Sequence, residues 1–285
     1  MDNTSSNFSF ELFPPKTPEG LEQLKLEVGQ LNALNPRYFS CTYGAGGSTR
    51  ERTFETVTWL REQQIDTAPH LACIGSSKQE VREIVDHYTQ QGIRRVVALR
   101  GDMPSGMGRI EPGALRYANE LVTFLRAEYG DALYIEVAAY PEMHPQALSA
   151  HADLMHFKRK VEAGANAAIT QYFYNADAYF AFLDSCQKAG IEIPIVPGIM
   201  PITNYTQLAR FSDACGAEIP RWIRKRLEAF GDDRIALRSF GHDVVLNLCG
   251  RLLSEGAPGL HFYTMNQAAP ILKLWDDLNL PGKTF

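Results

Sequence analysis

The chain has no excess of basic charge, no cysteine pair at CxxC spacing, no long apolar run and no GxGxxG fingerprint. Its formal net charge of -5 is the reverse of what a nucleic-acid binder carries, so the expected partners are small molecules or other proteins. The five cysteines, Cys41, Cys73, Cys186, Cys215 and Cys249, are odd in number and widely spaced. Neither a disulfide framework nor a zinc site is indicated, and a reducing cytoplasm is expected. No apolar stretch approaches bilayer-spanning length, and "MDNTSSNFSF" lacks a basic region followed by an apolar one, so neither a membrane nor an export route is expected. The first strand is followed by "FPPKTPEG", which rules against a Rossmann dinucleotide fold. "GAGGS" at 44–48 lacks the Gly-Lys-Ser/Thr ending of a P-loop and reads as a flexible loop. His144, His151 and His156 match no metal-ligand spacing, so no metal is expected. Low-complexity segments, linkers and close repeats are also missing.

What is present is organised around "RRVVALRGD" at 94–102. Val96, Val97, Ala98 and Leu99 make a strand apolar on both faces, as in the middle of a parallel sheet, and it runs directly into Arg100, Gly101 and Asp102. The same unit, strand then loop then amphipathic helix, recurs along the chain. Strands are expected at 8–13, 38–42, 68–73, 96–99, 134–138, 167–170, 195–198 and 260–263. Helices are expected at 18–34, 53–63, 78–91, 114–129, 150–163, 176–188, 203–215, 235–255 and 267–278, with an extra segment at 219–230. About eight such alternations in 285 residues, 45% of them hydrophobic, predict an α/β fold: a single-domain (β/α)8 TIM barrel over 1–285 with a short irregular tail at about 1–6.

In such a barrel the chemistry sits at the carboxyl ends of the strands. Glu11, Thr42, His70, Arg100, Asp102, Tyr140, His144, Gln171 and Tyr263 all fall at strand exits. Two carboxylates, two histidines and an arginine on one rim point to an enzyme.

These rim residues, with the blocks "FSFELFPPKT", "FSCTYGAGGSTRERT", "PHLACI", "VVALRGD", "VAAYPEMHP", "KRKVEAGANAAITQYFY", "PGIMPITNY" and "HFYTMNQ", resemble the methylenetetrahydrofolate reductase family across nearly the whole chain. The resemblance is to the bacterial single-domain flavoprotein type. It implies reduction of 5,10-methylenetetrahydrofolate to 5-methyltetrahydrofolate, with FAD as hydride carrier and NADH or NADPH as donor. Opening the five-membered ring of the folate needs a proton on the departing nitrogen and leaves an iminium cation. Glu11, among Phe10, Phe13 and Pro14, suits the acid, because desolvation favours its protonated form. Asp102, by family position, supports the cation, and Gln171 offers donors and an acceptor to the pterin edge. The resemblance carries FAD contacts to Thr42, His70, Arg100, Gly101, Asp102, Tyr140, His144, Asp153, His156, Arg159 and Lys160, the last two as paired cations for the pyrophosphate. It also carries folate or nicotinamide contacts to Gln207 and Phe211, four apart on one helix face, with Tyr263 on the substrate side.

Two positions depart from the family pattern. His156 stands where some relatives carry asparagine, and Gln267 where an arginine commonly follows "YTxN", which puts recognition of the folate's glutamate tail in doubt. Arg221, Arg224, Lys225 and Arg226 are basic residues that could stand in for it, although a solvated face or subunit contact suits them better. Further copies of the chain are expected as partners, in a homo-oligomer. The competing readings are a flavin-free pterin-binding barrel methyltransferase and a non-catalytic binding barrel.

Overall fold

The computed structural model describes residues 7–43, 47–101 and 115–282. Among these residues nine parallel strand segments form one sheet: β1 (Asn7–Leu12), β2 (Tyr38–Cys41), β3 (Thr67–Ala72), β4 (Arg95–Leu99), β5 (Tyr134–Ala139), β6 (Ala167–Thr170), β7 (Ile195–Val196), β8 (Gly198–Ile199) and β9 (Gly259–Tyr263). Their spatial order, β7-β6-β5-β4-β3-β2-β1-β9-β8, begins and ends on segments separated only by Pro197. The sheet therefore closes into the expected barrel, with β7 and β8 together acting as the seventh of eight strands.

The expected seventh strand, 195–198, is thus split. Proline has no N–H to donate to a ladder. On its far side Gly198 N donates to the Thr170 side-chain hydroxyl (2.9 Å) instead of to a carbonyl, and the ladder partner changes from β6 to β9.

Among the described residues ten α-helices cover the outside: α1 (Pro18–Asn32), α2 (Gly47–Glu62), α3 (Lys78–Gln90), α4 (Ala118–Tyr129), α5 (Ala150–Glu162), α6 (Ala176–Lys188), α7 (Tyr205–Cys215), α8 (Arg221–Phe230), α9 (Arg234–Ser254) and α10 (Ala269–Asp277). α2 begins six residues before the expected Thr53, so Gly47 and Ser48 belong to its first turn and not to a loop. The expected tail at 1–6, Ala114 at the proposed start of the fourth helix, and Asp102 lie outside the described residues.

Strand alternation sorts the residues. In β1, Phe8, Phe10 and Leu12 join the large apolar layer between strands and helices, while Ser9 and Glu11 take the opposite, interior face. β4 is apolar on both sides, as its sequence predicts: Val96 and Ala98 pack outward, and Val97 joins Tyr38, Ala68 and Ile169 inside the barrel. The amino-terminal end of the interior is closed by a polar knot. Tyr38 donates to Glu136 Oε2 (2.6 Å), Arg95 pairs with Glu136 Oε1 (2.7 Å), and the Arg95 guanidinium lies 4.0 Å from the Tyr134 ring centre.

α3 shows local sequence fixing an element's start. Ser77 Oγ accepts from Glu80 N (3.2 Å) while Ser77 N donates to Glu80 Oε2 (2.7 Å), a reciprocal capping box. Ser77→Ala removes one side of it and is expected to cost about 1 kcal/mol, read as a lower urea midpoint at unchanged slope.

Candidate active site

Glu11 ends β1 on the interior face. Its main chain is stitched to the exit of β9, since Thr264 Oγ1 donates to Glu11 O (2.6 Å) and the Asn266 carboxamide bonds both Phe13 N (2.9 Å) and Phe13 O (2.8 Å). The position of the carboxylate is therefore set by two strand ends more than 250 residues apart. Its Oε2 lies 3.4 Å from Nε2 of His70, on β3, and 3.4 Å from Nε2 of His261, on β9. His261 is further held by Ser9 Oγ at Nδ1 (2.7 Å). His70 is near enough for attraction between charges but is not aligned for a hydrogen bond, so its buried Nε2 has no hydrogen-bond partner among the described residues.

This arrangement corrects one expectation. Burial alone pushes the Glu11 carboxyl up, as the aromatic surroundings suggest, but His70 and then His261 outweigh it and bring the pKa down to about 2. Glu11 is thus a carboxylate against two imidazoles, and not a carboxylic acid kept neutral by burial.

Glu11, Arg100, Tyr140, His144, Gln171, Phe211 and Tyr263 line one cavity of about 440 Å³ at the carboxyl ends of the strands. Gln171 turns its Oε1 back to Tyr172 N (3.0 Å), leaving its amide N–H groups to offer to a ligand. The Tyr263 hydroxyl donates to Thr170 O (2.8 Å), and burial followed by the Glu11 charge pushes its pKa well up, so it stays a neutral phenol. Tyr140 and His144 meet edge to face with ring centres 4.6 Å apart. Asp153 accepts from His144 N (2.8 Å) and so ties the loop after β5 to the start of α5. Gly101 adopts φ +83, and a Cβ there would lie 2.9 Å from Ala72 Cβ, so the turn out of β4 needs glycine.

Other expected site residues stand apart from the cavity wall. Thr42 is at the exit of β2, with its N–H bonded to Leu12 O (3.0 Å) and its carbonyl accepting from Thr53 (3.0 Å). Gln207 is exposed in the first turn of α7, its N–H taken by the Asn204 cap. The face it shares with Phe211 thus reaches the cavity only at Phe211. His156 is exposed on α5. Arg159 and Lys160 do not act as an adjacent pair: Arg159 is exposed, whereas the Lys160 ammonium turns inward to donate to Ala138 O (2.6 Å). Burial pulls the Lys160 pKa down to about 8 against the opposing pull of Asp153.

The structure adds residues that sequence reasoning passed over. His261, buried behind Glu11, is the principal one, and Tyr172, Met200 and Cys215 face the cavity. The signal for His261 was available: it sits two residues before Tyr263 in "GLHFY", hence on the same strand face.

A closed parallel barrel that gathers a carboxylate, two imidazoles, an arginine and a carboxamide at its strand ends is a (β/α)8-barrel enzyme with its site in the carboxyl-terminal mouth. A family model described as methylenetetrahydrofolate reductase matches residues 1–279. The chain is 42% identical over 263 residues to the 5,10-methylenetetrahydrofolate reductase of Escherichia coli strain K12, covering 92% of this chain and 87% of that one. It is 37% identical to methylenetetrahydrofolate reductase (NADH) 1 of Zea mays, covering 96% of this chain and 48% of that protein. The chain belongs to the methylenetetrahydrofolate reductase family, which sets aside the non-catalytic reading. Among solved structures, an uncharacterized Clostridium thermocellum protein that binds two copies of 5-methyl-5,6,7,8-tetrahydrofolic acid shares the fold, with a TM-score of 0.68 over 96% of this chain and 94% of that one at 17% identity. No helix among the described residues is long and apolar enough to cross a membrane.

Proposed function

We propose that this chain reduces 5,10-methylenetetrahydrofolate to 5-methyltetrahydrofolate in the cytoplasm, with NAD(P)H as donor and FAD as carrier between the two. The observation that carries the reading is Glu11, backed by His70 and His261, at a mouth lined by Gln171, Arg100 and aromatic rings. Ring opening of the folate needs one proton delivered at a fixed point, with cation-stabilising and pterin-holding groups beside it. Glu11 is the group that reaches the mouth, and the two imidazoles behind it hold the proton that it passes to the departing nitrogen. Gln171 orients the pterin edge. Asp102, two residues after Arg100 in the sequence, supplies negative charge to the iminium cation.

The residues present suit FAD. His70 Nε2 is a buried polar atom in need of a hydrogen-bond partner, Lys160 is a half-buried cation, and Arg100 spends its Nε only on the adjacent Gly101 carbonyl (3.2 Å). These groups, with Thr42, Gly101, Tyr140, His144, Asp153, His156 and Arg159, would hold it. FAD supplies a two-electron carrier that NAD(P)H reduces and the folate reoxidises. With no GxGxxG and hence no separate dinucleotide domain, both substrates use the one mouth in turn, which gives ping-pong kinetics. The purified protein should therefore be yellow, bleach with NADH or NADPH in the absence of air, and recover its colour on addition of methylenetetrahydrofolate. Colourless protein that added FAD cannot reconstitute would refute the flavin reading. Intersecting double-reciprocal lines would refute the shared mouth.

A further inference from the structure

The mouth has two walls that lie far apart in the chain. One is the loop out of β5, whose Tyr140, His144 and Pro145 line the cavity, and the other is the end of α7, which brings Phe211 and Cys215. The loop is pinned on both sides. His144 N ties it to α5 through Asp153, and Glu142 Oε2 accepts from Glu218 N (2.7 Å), just beyond the end of α7. Beside that second contact Pro145 meets Gly216, where φ is +76 and a Cβ would lie 3.0 Å from Pro145 Cδ. A narrow cavity of about 10 Å³ reaches this joint from the mouth, with Tyr140, Gln171, Tyr172 and Cys215 in both linings. It has room for a water at most, so the joint is a support for the mouth and not a further subsite. α7 is seated separately, since the Tyr172 hydroxyl and Ser212 Oγ, both buried, lie 3.0 Å apart. The helix is thereby fixed to the exit of β6, and it is the β5 loop that depends on Glu142.

A carboxylate is a costly group in this place. Glu142 is half-buried; burial pushes its pKa up, the Glu218 N–H opposes that rise, and the Glu218 carboxylate adds to it. No cation among the described residues acts on it, so what holds it is one charge-assisted hydrogen bond to the main chain. Carboxylates in such surroundings concentrate at functional sites. We propose that Glu142 is a positioning residue: its grip on the main chain beyond α7 sets the gap between Tyr140 and His144 on one wall and Phe211 on the other. The consequence for cofactor binding rests on the reading of the mouth as a flavin site, whereas the brace itself does not.

The test compares Glu142→Ala, which removes the acceptor, with Glu142→Gln, which keeps an oxygen at the same reach. In Glu142→Ala, amide hydrogen exchange should quicken about 3–10-fold in 140–147 and 216–219, the worth of one such hydrogen bond, while 167–172 and 205–212 exchange as in the parent. The dissociation constant for FAD, titrated by fluorescence on the stripped protein, should rise by a similar factor of about 3–10. Glu142→Gln should return both readouts to near the parent values. Faster exchange over the whole barrel in Glu142→Ala would mean general loosening and overturns the proposal. Unchanged FAD affinity with the two segments loosened also overturns it, because the contact then braces a loop and positions nothing. Equal behaviour of Glu142→Ala and Glu142→Gln overturns it too. A parent protein that binds no FAD would remove the flavin reading instead. The affinity for 5-methyltetrahydrofolate then takes the place of the FAD titration, and the same comparison of Glu142→Ala with Glu142→Gln decides for or against the brace.

Discussion

Glu11→Gln is expected to slow reoxidation of the reduced protein by methylenetetrahydrofolate about 10²–10⁴-fold, the usual worth of a positioned general acid, while reduction by NAD(P)H stays close to the parent rate. The substitution is nearly isosteric. Thr264 and Asn266 hold the main chain at positions 11 and 13, so the amide occupies the place of the carboxylate and still offers hydrogen bonds to the pterin and to His261. It cannot accept a proton from His70 or His261 and pass one on. Hydride transfer from NAD(P)H needs no such acid, so rapid mixing of the two halves separates the effects. If the variant reoxidises at the parent rate, the proton reaches the folate from an imidazole or from water, and Glu11 only positions.

The same substitution has a signature in stability. The folded pKa of Glu11, about 2, lies below the ordinary glutamate value of about 4.3. The ionised group therefore favours the folded state above that ordinary value, and its contribution fades as pH falls from about 4.3 towards about 2. The variant lacks this dependence. The stability difference between parent and variant should consequently shrink through that window, as measured by urea unfolding at a series of pH values.

Much of this architecture was legible in the sequence because a parallel barrel writes its strands plainly. Segments such as "VVAL" are buried on both faces, and "FSFEL" alternates between helix-facing aromatics and interior polar groups, so the position of Glu11 followed from counting residues. Its charge did not. The His70 and His261 side chains reach it from strands far along the chain, and nothing local to "FSFELF" announces two imidazoles at 3.4 Å. His261 was passed over because one histidine in an apolar strand carries no mark of its partner, although its two-residue spacing from Tyr263 repeats that of Ser9 and Glu11. The pairing of Arg159 with Lys160 failed for a geometric reason: adjacent helix residues point about 100° apart, so one faced solvent and the other the barrel. The early start of α2 was hidden by glycines, whose low helix propensity the rest of the helix overrides.

The closure of the barrel supplies the other large effect. Gly198→Ala is expected to destabilise the protein by about 3 kcal/mol or more, beyond what a surface change produces, and to lower Tm by about 6–12 °C. A Cβ at this position would lie 2.2 Å from Thr170 O and 2.6 Å from Tyr263 Cε2. The first neighbour is main chain at the end of β6, which no side-chain rotation can move. The second is a ring whose hydroxyl is tied to that same carbonyl at 2.8 Å. Making room means prising β6 from β8 where Pro197 has already interrupted the ladder, and the bond from Gly198 N to Thr170 Oγ1 is lost with it. Gln171 and Tyr263 move as a consequence, so activity should fall with stability. Gly29→Ala is the control. Nothing lies within 4 Å of a Cβ there and the site is an exposed position in α1, so alanine should leave the protein unchanged or raise its stability by up to about 1 kcal/mol. A Gly198→Ala protein that melts with the parent would mean that β6 and β8 do not approach as closely as the closed barrel requires.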